Sequence, residues 1–382
     1  MRGSCLKGCS VIICILSILI GLLLSGRLRD WGCTKWIDPG IVRVRGTFPF
    51  IYDQYGGKEE FGFDDIPKLN GKVAVVTGAN VGLGYYTSLH LARNGARVIL
   101  GCRSANKCNA AAEAISKNIT DGSVPVKGGS AEAMVMDLAS FESVRNFADK
   151  LRETLNENDV GLDVLVLNAG FIAQKYYETE DGIESQWQVN HVGHHLLYTL
   201  VEDLIVLAAN RQGKATVTSL SSGASYNAER VPSSLEEINE RDEYVPFRRY
   251  SETKLANVLF AMEAQKRVHQ KSDRIYVNAV HPGAVNSDFL RKETVTTFLG
   301  DTLGPLLYDF AKAAMRNCIA WDSETASLTQ LYTAVSPEIS TKNIKGKYFH
   351  PIAKINPGTA LATENAAAAL WTQTEVLIQS HS

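Results

Sequence analysis

The chain has 382 residues, 45% of them hydrophobic, which is enough to bury one large core or two smaller ones. A formal net charge of −2 excludes a global positive field, so no nucleic-acid partner is expected. Four of the seven cysteines lie near the start, and Cys102, Cys108 and Cys318 lie in the body. An odd number without metal-site spacing is typical of a reducing compartment rather than of a disulfide-stapled secreted fold.

The first predicted element is an uncharged apolar run at 10–26, SVIICILSILIGLLLSG, between Lys7 and Arg27. As a helix rising about 1.5 Å per residue it would be roughly 25 Å long, close to the hydrocarbon thickness of a bilayer. A cleaved signal peptide and a buried core helix are the alternatives. The basic, aromatic segment that follows, with no convincing A-x-A-like cleavage site before it, favours a membrane anchor.

Basic residues are more frequent after this run than before it, with Arg2 and Lys7 ahead of it and five lysines and arginines at 27–45. The positive-inside rule therefore places the rest of the chain on the cytosolic side. We expect a single-pass N-terminal anchor in the bilayer of the endoplasmic reticulum. The sequon Asn118-Ile119-Thr120 would carry a glycan only in the opposite orientation.

A regular domain is predicted at 70–378, after the N-terminal segment (1–26) and a linker (27–69). Apolar β-branched runs such as KVAVVTG, RVILGC and RIYVNAVHPG alternate with amphipathic stretches such as LGYYTSLHLARNGA. Buried strands that alternate with helices indicate βαβ units. We therefore predict an α/β fold, a Rossmann-type doubly wound parallel sheet with helices on both faces, in addition to the N-terminal membrane-anchor helix.

The first strand runs into TGANVGLG, which puts Gly78, Gly82 and Gly84 at a strand-to-helix turn. Glycines there let the backbone approach a pyrophosphate at the helix N-terminus. A tight turn without a ligand is the alternative, but the position between a buried strand and a helix favours a dinucleotide site. The second strand ends in GCRS, where Arg103 can meet a 2′-phosphate and no acid accepts the ribose hydroxyls, so NADP (NADPH rather than NADH) is the expected cofactor.

A tyrosine and a lysine stand one helical turn apart in YSETK, at Tyr250 and Lys254. Residues at i and i+4 share a helix face, so the two side chains are expected to point the same way. The ammonium group would favour phenolate and move the tyrosine's pKa from about 10 toward neutrality. Such a phenol could act as an acid and a base near pH 7.

Taken together, these features resemble the short-chain dehydrogenase/reductase family over about residues 70–378. The matching motifs follow the family's order: TGANVGLG at 77–84, Asp137-Leu138, NAG at 168–170, Asn190 in NHVGH, Ser221-Ser222, YSETK at 250–254 and HPG at 281–283. Within the family, NHVGHHLL, YSETKLANVLF and HPGAV look most like the retinol dehydrogenases and the WW-domain-containing oxidoreductase.

The resemblance implies a role for each matching residue. Tyr250 would exchange a proton with the substrate oxygen, and Lys254 would lower its pKa and hold the nicotinamide ribose. Ser222 would hydrogen-bond the substrate oxygen, and Asn190 would position a water that links Lys254 to solvent. Besides Tyr250 and Lys254, the implied cofactor-binding residues are Gly78, Asn80, Gly82, Leu83, Gly84, Arg103, Asp137, Leu138, Asn168, Ala169, Gly170, Pro282, Gly283 and Val285.

The expected protein is a membrane-anchored NADP-dependent oxidoreductase that interconverts a lipophilic alcohol and its aldehyde or ketone, mainly by carbonyl reduction. The alternatives are a tethered reductase of small soluble carbonyls and an NADP-binding sensor or interaction protein without turnover. The apolar segment between Pro282 and Trp321 is either a lid over the substrate or a set of packed core helices. The sequence leaves the oligomeric state open, although many family members pair through helices matching 181–209 and 250–269, which makes a homodimer one option.

Two further features are interpreted as structural. His191, His194 and His195 cluster at helical spacing, but no carboxylate or cysteine stands at a matching position, so no metal is expected. Cys102, beside Arg103, is interpreted as a small buried residue rather than a nucleophile.

Overall fold

The computed structural model describes residues 61–120, 129–156, 160–242, 244–283, 285 and 321–381. The predicted anchor at 10–26 lies outside these residues, as do most of the linker and most of the apolar segment between Pro282 and Trp321. The last part of the predicted linker belongs to the folded domain, because Phe61, Ile66 and Leu69 are buried in its core. A 3-10 turn at Phe63–Asp65 lies between them.

One eight-stranded sheet organises the domain, and its spatial order is 3-2-1-4-5-6-7-8. Neighbouring strands are parallel except for the last pair, which is antiparallel. The strands are β1 (Val73–Thr77), β2 (Arg97–Cys102), β3 (Ser130–Val135), β4 (Val164–Leu167), β5 (Ala215–Leu220), β6 (Ile275–Val280), β7 (Tyr348–His350) and β8 (Lys354–Asn356). This order, with its reversal between β1 and β4, confirms the predicted Rossmann-type sheet. The β7–β8 hairpin at the edge was not predicted.

Helices cover both faces of the sheet, as the continuous burial of its central strands requires. They are α1 (Gly82–Arg93), α2 (Ala105–Thr120), α3 (Phe141–Asn156), α4 (Gly193–Gln212), α5 (Leu235–Ile238), α6 (Pro246–His269), α7 (Ser323–Ala326), α8 (Leu328–Val335), α9 (Pro337–Thr341) and α10 (Glu364–Gln379). The core of one face takes residues from α3, α4, α6 and α10, and the core of the other takes residues from α1, α2, α8 and α9.

Two helices that carry site residues differ from their predicted form. The helix predicted from Tyr250 begins at Pro246, whose fixed φ and missing N–H suit the first helical position, so Tyr250 lies in its second turn. The long segment before α4 is not regular: a short helix at Ser185–Trp187 leads into a π-helical turn at Gln188–Val192. Such turns are frequent at functional sites, and this one contains Asn190.

The C-terminal helix α10 packs on the helix pair α4 and α6. Trp371 stacks on Phe260 with ring centroids 5.8 Å apart and lies 4.3 Å from the ring of His195. The homodimer remains a prediction, and any pairing through α4 and α6 would have to include α10. Among the described residues, Ser185–Gln212 is long and apolar enough to cross a membrane by length and composition alone, but it is mostly buried inside the domain.

Cys102 and Cys108 form a disulfide in the structure, with Cα atoms 5.7 Å apart. Both side chains are buried, as expected for Cys102. The cysteine pattern pointed to free thiols instead, since a spacing of six residues does not show that the end of β2 and the first turn of α2 face each other.

Candidate active site

A cavity of about 510 Å³ opens at the carboxyl ends of the parallel strands, where the strand order reverses between the neighbours β1 and β4. Ligands of open α/β sheets bind at such a switch point. Its lining brings together most of the predicted site residues: Gly78, Asn80, Gly82, Leu83, Gly84, Asn168, Ala169, Gly170, Ser222, Tyr250, Lys254, Pro282, Gly283 and Val285. Four predicted residues are not part of the lining: Arg103, Asp137, Leu138 and Asn190.

The glycine-rich turn between β1 and α1 has no room for a side chain at Gly78 or Gly84. Gly78 adopts φ +65°, which favours glycine, and a Cβ there would lie 3.0 Å from the Cα of Ala169. A Cβ on Gly84 would lie 2.5 Å from the carbonyl oxygen of Gly78. The N-terminus of α1 thus faces the cavity across bare backbone, and this arrangement fits the pyrophosphate of a dinucleotide.

The ends of β1 and β4 are joined by hydrogen bonds to a threonine that the sequence analysis missed. The hydroxyl oxygen of Thr77 accepts from the backbone N–H groups of Asn168 and Ala169, both at 2.9 Å. The Asn168 amide donates to the Thr77 carbonyl at 2.8 Å and accepts from Gln330 of α8 at 3.1 Å. Asn168 therefore holds the loop in place, and its backbone and Ala169 face the cavity.

Tyr250 and Lys254 share one face of α6, as predicted. The Lys254 Nζ lies 5.5 Å from the centroid of the Tyr250 ring and donates to the carbonyl oxygen of Leu220, at the end of β5, at 2.9 Å. Ser222, two residues beyond β5, hydrogen-bonds with the Tyr250 hydroxyl. One corner of the cavity thus holds all three side chains, although Ser222 and Lys254 are 32 positions apart in the sequence.

The predicted pKa of Tyr250 is wrong for this structure. Burial raises the pKa of Tyr250 to about 12, although the hydrogen bond with Ser222 acts in the opposite direction. Burial also lowers the pKa of Lys254 to about 7. The physical reason is that desolvation disfavours both charged forms, and the sequence pattern shows spacing but not burial. At neutral pH the phenol therefore holds its proton.

Asn190 is anchored to the backbone beside this corner. Its Oδ1 accepts from the N–H of Phe171 and its Nδ2 donates to the carbonyl oxygen of Phe171, both at 3.0 Å. A Cβ on Gly170 would lie 3.1 Å from the Lys254 Nζ and 3.2 Å from the Asn190 Oδ1, so Gly170 lies between these two groups. The water that Asn190 would position stays a prediction.

The other three predicted residues that do not line the cavity are Arg103, Asp137 and Leu138. Arg103 is exposed at the end of β2. Asp137 accepts from the N–H of Ala139 at 3.0 Å and so shapes its own loop. The carbonyl oxygen of Leu138 would lie 2.6 Å from a Cβ on Gly193, which explains the glycine at the start of α4 by close packing.

The sequence analysis missed ten lining residues: Val81, Phe171, Leu220, Ser221, Gly223, Ala224, Asn227, Phe247, His281 and Ser323. Among them, Phe247 and Val81 are large apolar side chains that remain exposed. Phe171 stacks on the exposed Tyr177 at 6.5 Å. Phe171 directly follows the NAG motif and His281 begins the HPG motif, so both could have been included, but no pattern in the sequence points to Phe247 or Asn227.

The three clustered histidines make separate contacts within the core. His194 hydrogen-bonds with Thr77 at 2.8 Å, His191 with Thr374 of α10 at 3.1 Å, and the His195 ring packs on Trp371. No group of three metal-binding side chains occurs in the part of the chain that the structure describes.

Comparison with known proteins agrees with this geometry. The short chain dehydrogenase family matches residues 72–234. Human retinol dehydrogenase 13 is 33% identical over 81% of this chain and 85% of its own length, and the WW domain-containing oxidoreductase of Gallus gallus is 32% identical over 81% and 69%. The crystal structure of an uncharacterized protein from Mycobacterium paratuberculosis superposes with a TM-score of 0.59 at 29% identity, covering 84% of this chain and 97% of that one.

The fold and the site define a dinucleotide-dependent oxidoreductase. The chain belongs to the short-chain dehydrogenase/reductase family, and its relatives place it in the retinol dehydrogenase-like branch. Members of this fold bind NAD(P), and the bare glycine turn is where such a cofactor fits here.

Proposed function

We propose that this protein is a membrane-anchored, NADP-dependent carbonyl reductase that interconverts a lipophilic alcohol and its aldehyde or ketone. The observation that carries the proposal is the corner in which the protonated Tyr250 meets Ser222 and Lys254, inside a cavity that Phe171 and Phe247 also line. This corner can hold a carbonyl oxygen and give it a proton.

When bound, the nicotinamide supplies the hydride for reduction. The Ser222 hydroxyl donates to the substrate carbonyl oxygen and holds it beside Tyr250. Tyr250 then gives its proton to that oxygen, which a phenol with a raised pKa can do at neutral pH. Lys254, whose pKa is about 7, gives a proton to the phenolate and takes one up from solvent, so that both groups return to their starting state.

NADP is proposed because of the side chain at the end of β2. Arg103 is exposed there, at the position where a 2′-phosphate would lie, and the neighbouring Cys102 and Ser104 carry no negative charge. A guanidinium group can bind a phosphate with two parallel hydrogen bonds.

A lipophilic substrate is proposed because two aromatic side chains line the cavity. Phe171 and Phe247 line the cavity, and Tyr177 extends the stack outward. Two relatives are named retinol dehydrogenases, and the apolar run at 10–26 would tether the protein to a bilayer. The location in the endoplasmic reticulum, the cytosolic orientation and a homodimer belong to the same proposal.

The test uses the full chain in nanodiscs, with aldehydes that share one reactive end and differ in alkyl chain length. We expect kcat/KM to increase with chain length and to be higher with NADPH than with NADH, both followed by loss of reduced nicotinamide absorbance. A constant kcat/KM across the series would favour the tethered reductase of small carbonyls. Bound NADPH without turnover of any aldehyde or ketone would favour the sensor.

A further inference from the structure

We propose that Tyr348 is a positioning residue for Ser222, and that the β7–β8 hairpin fixes the turn from which Ser222 reaches the substrate. This inference rests on the proposed function, since it assigns Tyr348 a part in the same reaction. No motif that pointed to the site includes this residue.

The Ser222 turn is short and needs support from outside. Ser222 precedes a single 3-10 helix at Gly223–Asn227, and its hydroxyl oxygen accepts from the N–H of Ala224 at 3.2 Å. Its carbonyl oxygen accepts from the N–H of Ser225 at 2.9 Å. Hydrogen bonds of this helix type have poor geometry, so these two bonds alone would hold the turn only weakly. The preceding residue is tied to α6 and β6, because the Ser221 hydroxyl donates to the carbonyl oxygen of Lys254 at 2.6 Å and its N–H donates to that of Val280 at 2.8 Å.

The hairpin supplies the missing support from the other side. The Tyr348 hydroxyl donates to the carbonyl oxygen of Ser222 at 2.9 Å and lies 3.4 Å from the Ser225 hydroxyl. Tyr348 is 3% exposed, and β7 pairs with β6 at Ala279, so the sheet itself fixes the ring. A buried donor held by the sheet therefore bonds the residue that carries the Ser222 hydroxyl.

The far end of the turn is tied to the same hairpin. The Tyr226 hydroxyl donates to the side-chain oxygen of Asn356 in β8 at 2.6 Å and hydrogen-bonds with His350 of β7 at 2.9 Å. Both ends of the turn are thus hydrogen-bonded to the same hairpin.

The position of Ser222 matters because its hydroxyl must meet both Tyr250 and the substrate oxygen. Small displacements of a group that orients a reacting atom cost large factors in rate. Removing the Tyr348 hydroxyl while keeping its ring would leave the Ser222 carbonyl with only the N–H of Ser225 of these two donors, and would let the Ser222 hydroxyl move. The glycine-rich turn lies on the opposite wall of the cavity and would not change.

The test is Tyr348→Phe in the full chain, with Tyr332→Phe as the matched control. Tyr332 is a second buried tyrosine, whose hydroxyl donates to Glu338 away from the cavity. We expect kcat for reduction to fall about tenfold in Tyr348→Phe with an unchanged KM for NADPH. We also expect Tyr348→Phe to cause no further loss when Ser222 is already alanine.

Hydrogen exchange gives a readout that needs no turnover. Amides of residues 222–228 should exchange faster in Tyr348→Phe than in the wild type, and at the wild-type rate in Tyr332→Phe. A wild-type kcat in Tyr348→Phe, an equal loss in the Ser222→Ala background, or unchanged exchange at this turn would overturn the proposal. Failure of the wild type to reduce any carbonyl, with the exchange still faster, would overturn the proposed function and leave the structural support of the turn in place.

Discussion

The two walls of the cavity are built in different ways. The wall with the glycine-rich turn is one continuous stretch, from β1 to the start of α1, and it presents mainly backbone. The opposite wall combines the Ser222 turn and the helix α6, which come from separate segments of the chain, and it presents side chains. The β7–β8 hairpin does not line the cavity but is hydrogen-bonded to this turn.

Because of this difference in construction, the two walls suit different functions. Bare backbone at a helix N-terminus recognises a phosphate by shape and by N–H groups, so it suits a cofactor shared by many enzymes. Buried hydroxyl, phenol and amine groups change their proton affinity with their surroundings, so they suit proton transfer to a particular substrate. Substitutions on the two walls should therefore affect different measurements.

The largest effect should come from Tyr250→Phe on the side-chain wall. Without the phenolic proton donor, kcat for carbonyl reduction should fall about a thousandfold, while the Kd for NADPH stays close to that of the wild type. Stopped-flow reduction and fluorescence titration of NADPH measure the two quantities. Tyr198→Phe, which removes another buried hydroxyl that donates to Glu202, should keep full activity. A Tyr250→Phe protein with more than about a tenth of wild-type activity would contradict the assignment.

The next largest effect, a loss of NADPH affinity, should come from Gly84→Ala on the wall with the glycine-rich turn. The new Cβ would lie 2.5 Å from the Gly78 carbonyl oxygen, so either the turn or α1 must shift. We expect NADPH binding to weaken by about 3 kcal/mol, with kcat at saturating NADPH less affected than KM. Calorimetric titration measures the binding. Gly71→Ala is a control, because a Cβ there has nothing within 4 Å, although its φ of +76° carries its own cost in stability.

Sequence reasoning predicted the backbone wall better than the side-chain wall. The central strands, α1 and the turn at Gly78 follow from local periodicity and glycine placement, because each is determined within a few residues. Tyr348 was not predicted, since its contact with Ser222 joins residues 126 positions apart. The pKa of Tyr250 was predicted in the wrong direction for a similar reason: its burial depends on elements that spacing alone does not reveal.

A third prediction concerns buried histidines, which only the folded chain reveals. Burial lowers the pKa of His191 to about 4, that of His194 to about 3 and that of His281 to about 3. The unfolded chain binds protons at these sites from about pH 6.5 downward, whereas the folded chain does not. The stability that these sites contribute is present above pH 6.5 and is lost as the pH falls toward 4.

Each such histidine should remove about 2 kcal/mol of unfolding free energy between pH 7 and pH 5. Urea denaturation at both pH values should show that His191→Gln reduces this difference by about that amount. His269→Gln, at an exposed position of α6, should leave it unchanged. Equal acid sensitivity in wild type and His191→Gln would show that another group is responsible.

The smallest effect should come from Arg103→Ala, an exposed side chain at the end of β2 and outside the cavity lining. A single exposed guanidinium–phosphate contact contributes about 1.4 kcal/mol, so the ratio of kcat/KM for NADPH over NADH should fall about tenfold. The KM for NADPH should rise while kcat stays the same, because Arg103 is not part of the cavity lining around Tyr250. Lys117→Ala, which removes an exposed charge at the far end of α2, should leave the ratio unchanged. An equal loss with both cofactors would place Arg103 in support of the fold rather than in cofactor choice, because only the 2′-phosphate distinguishes the two dinucleotides.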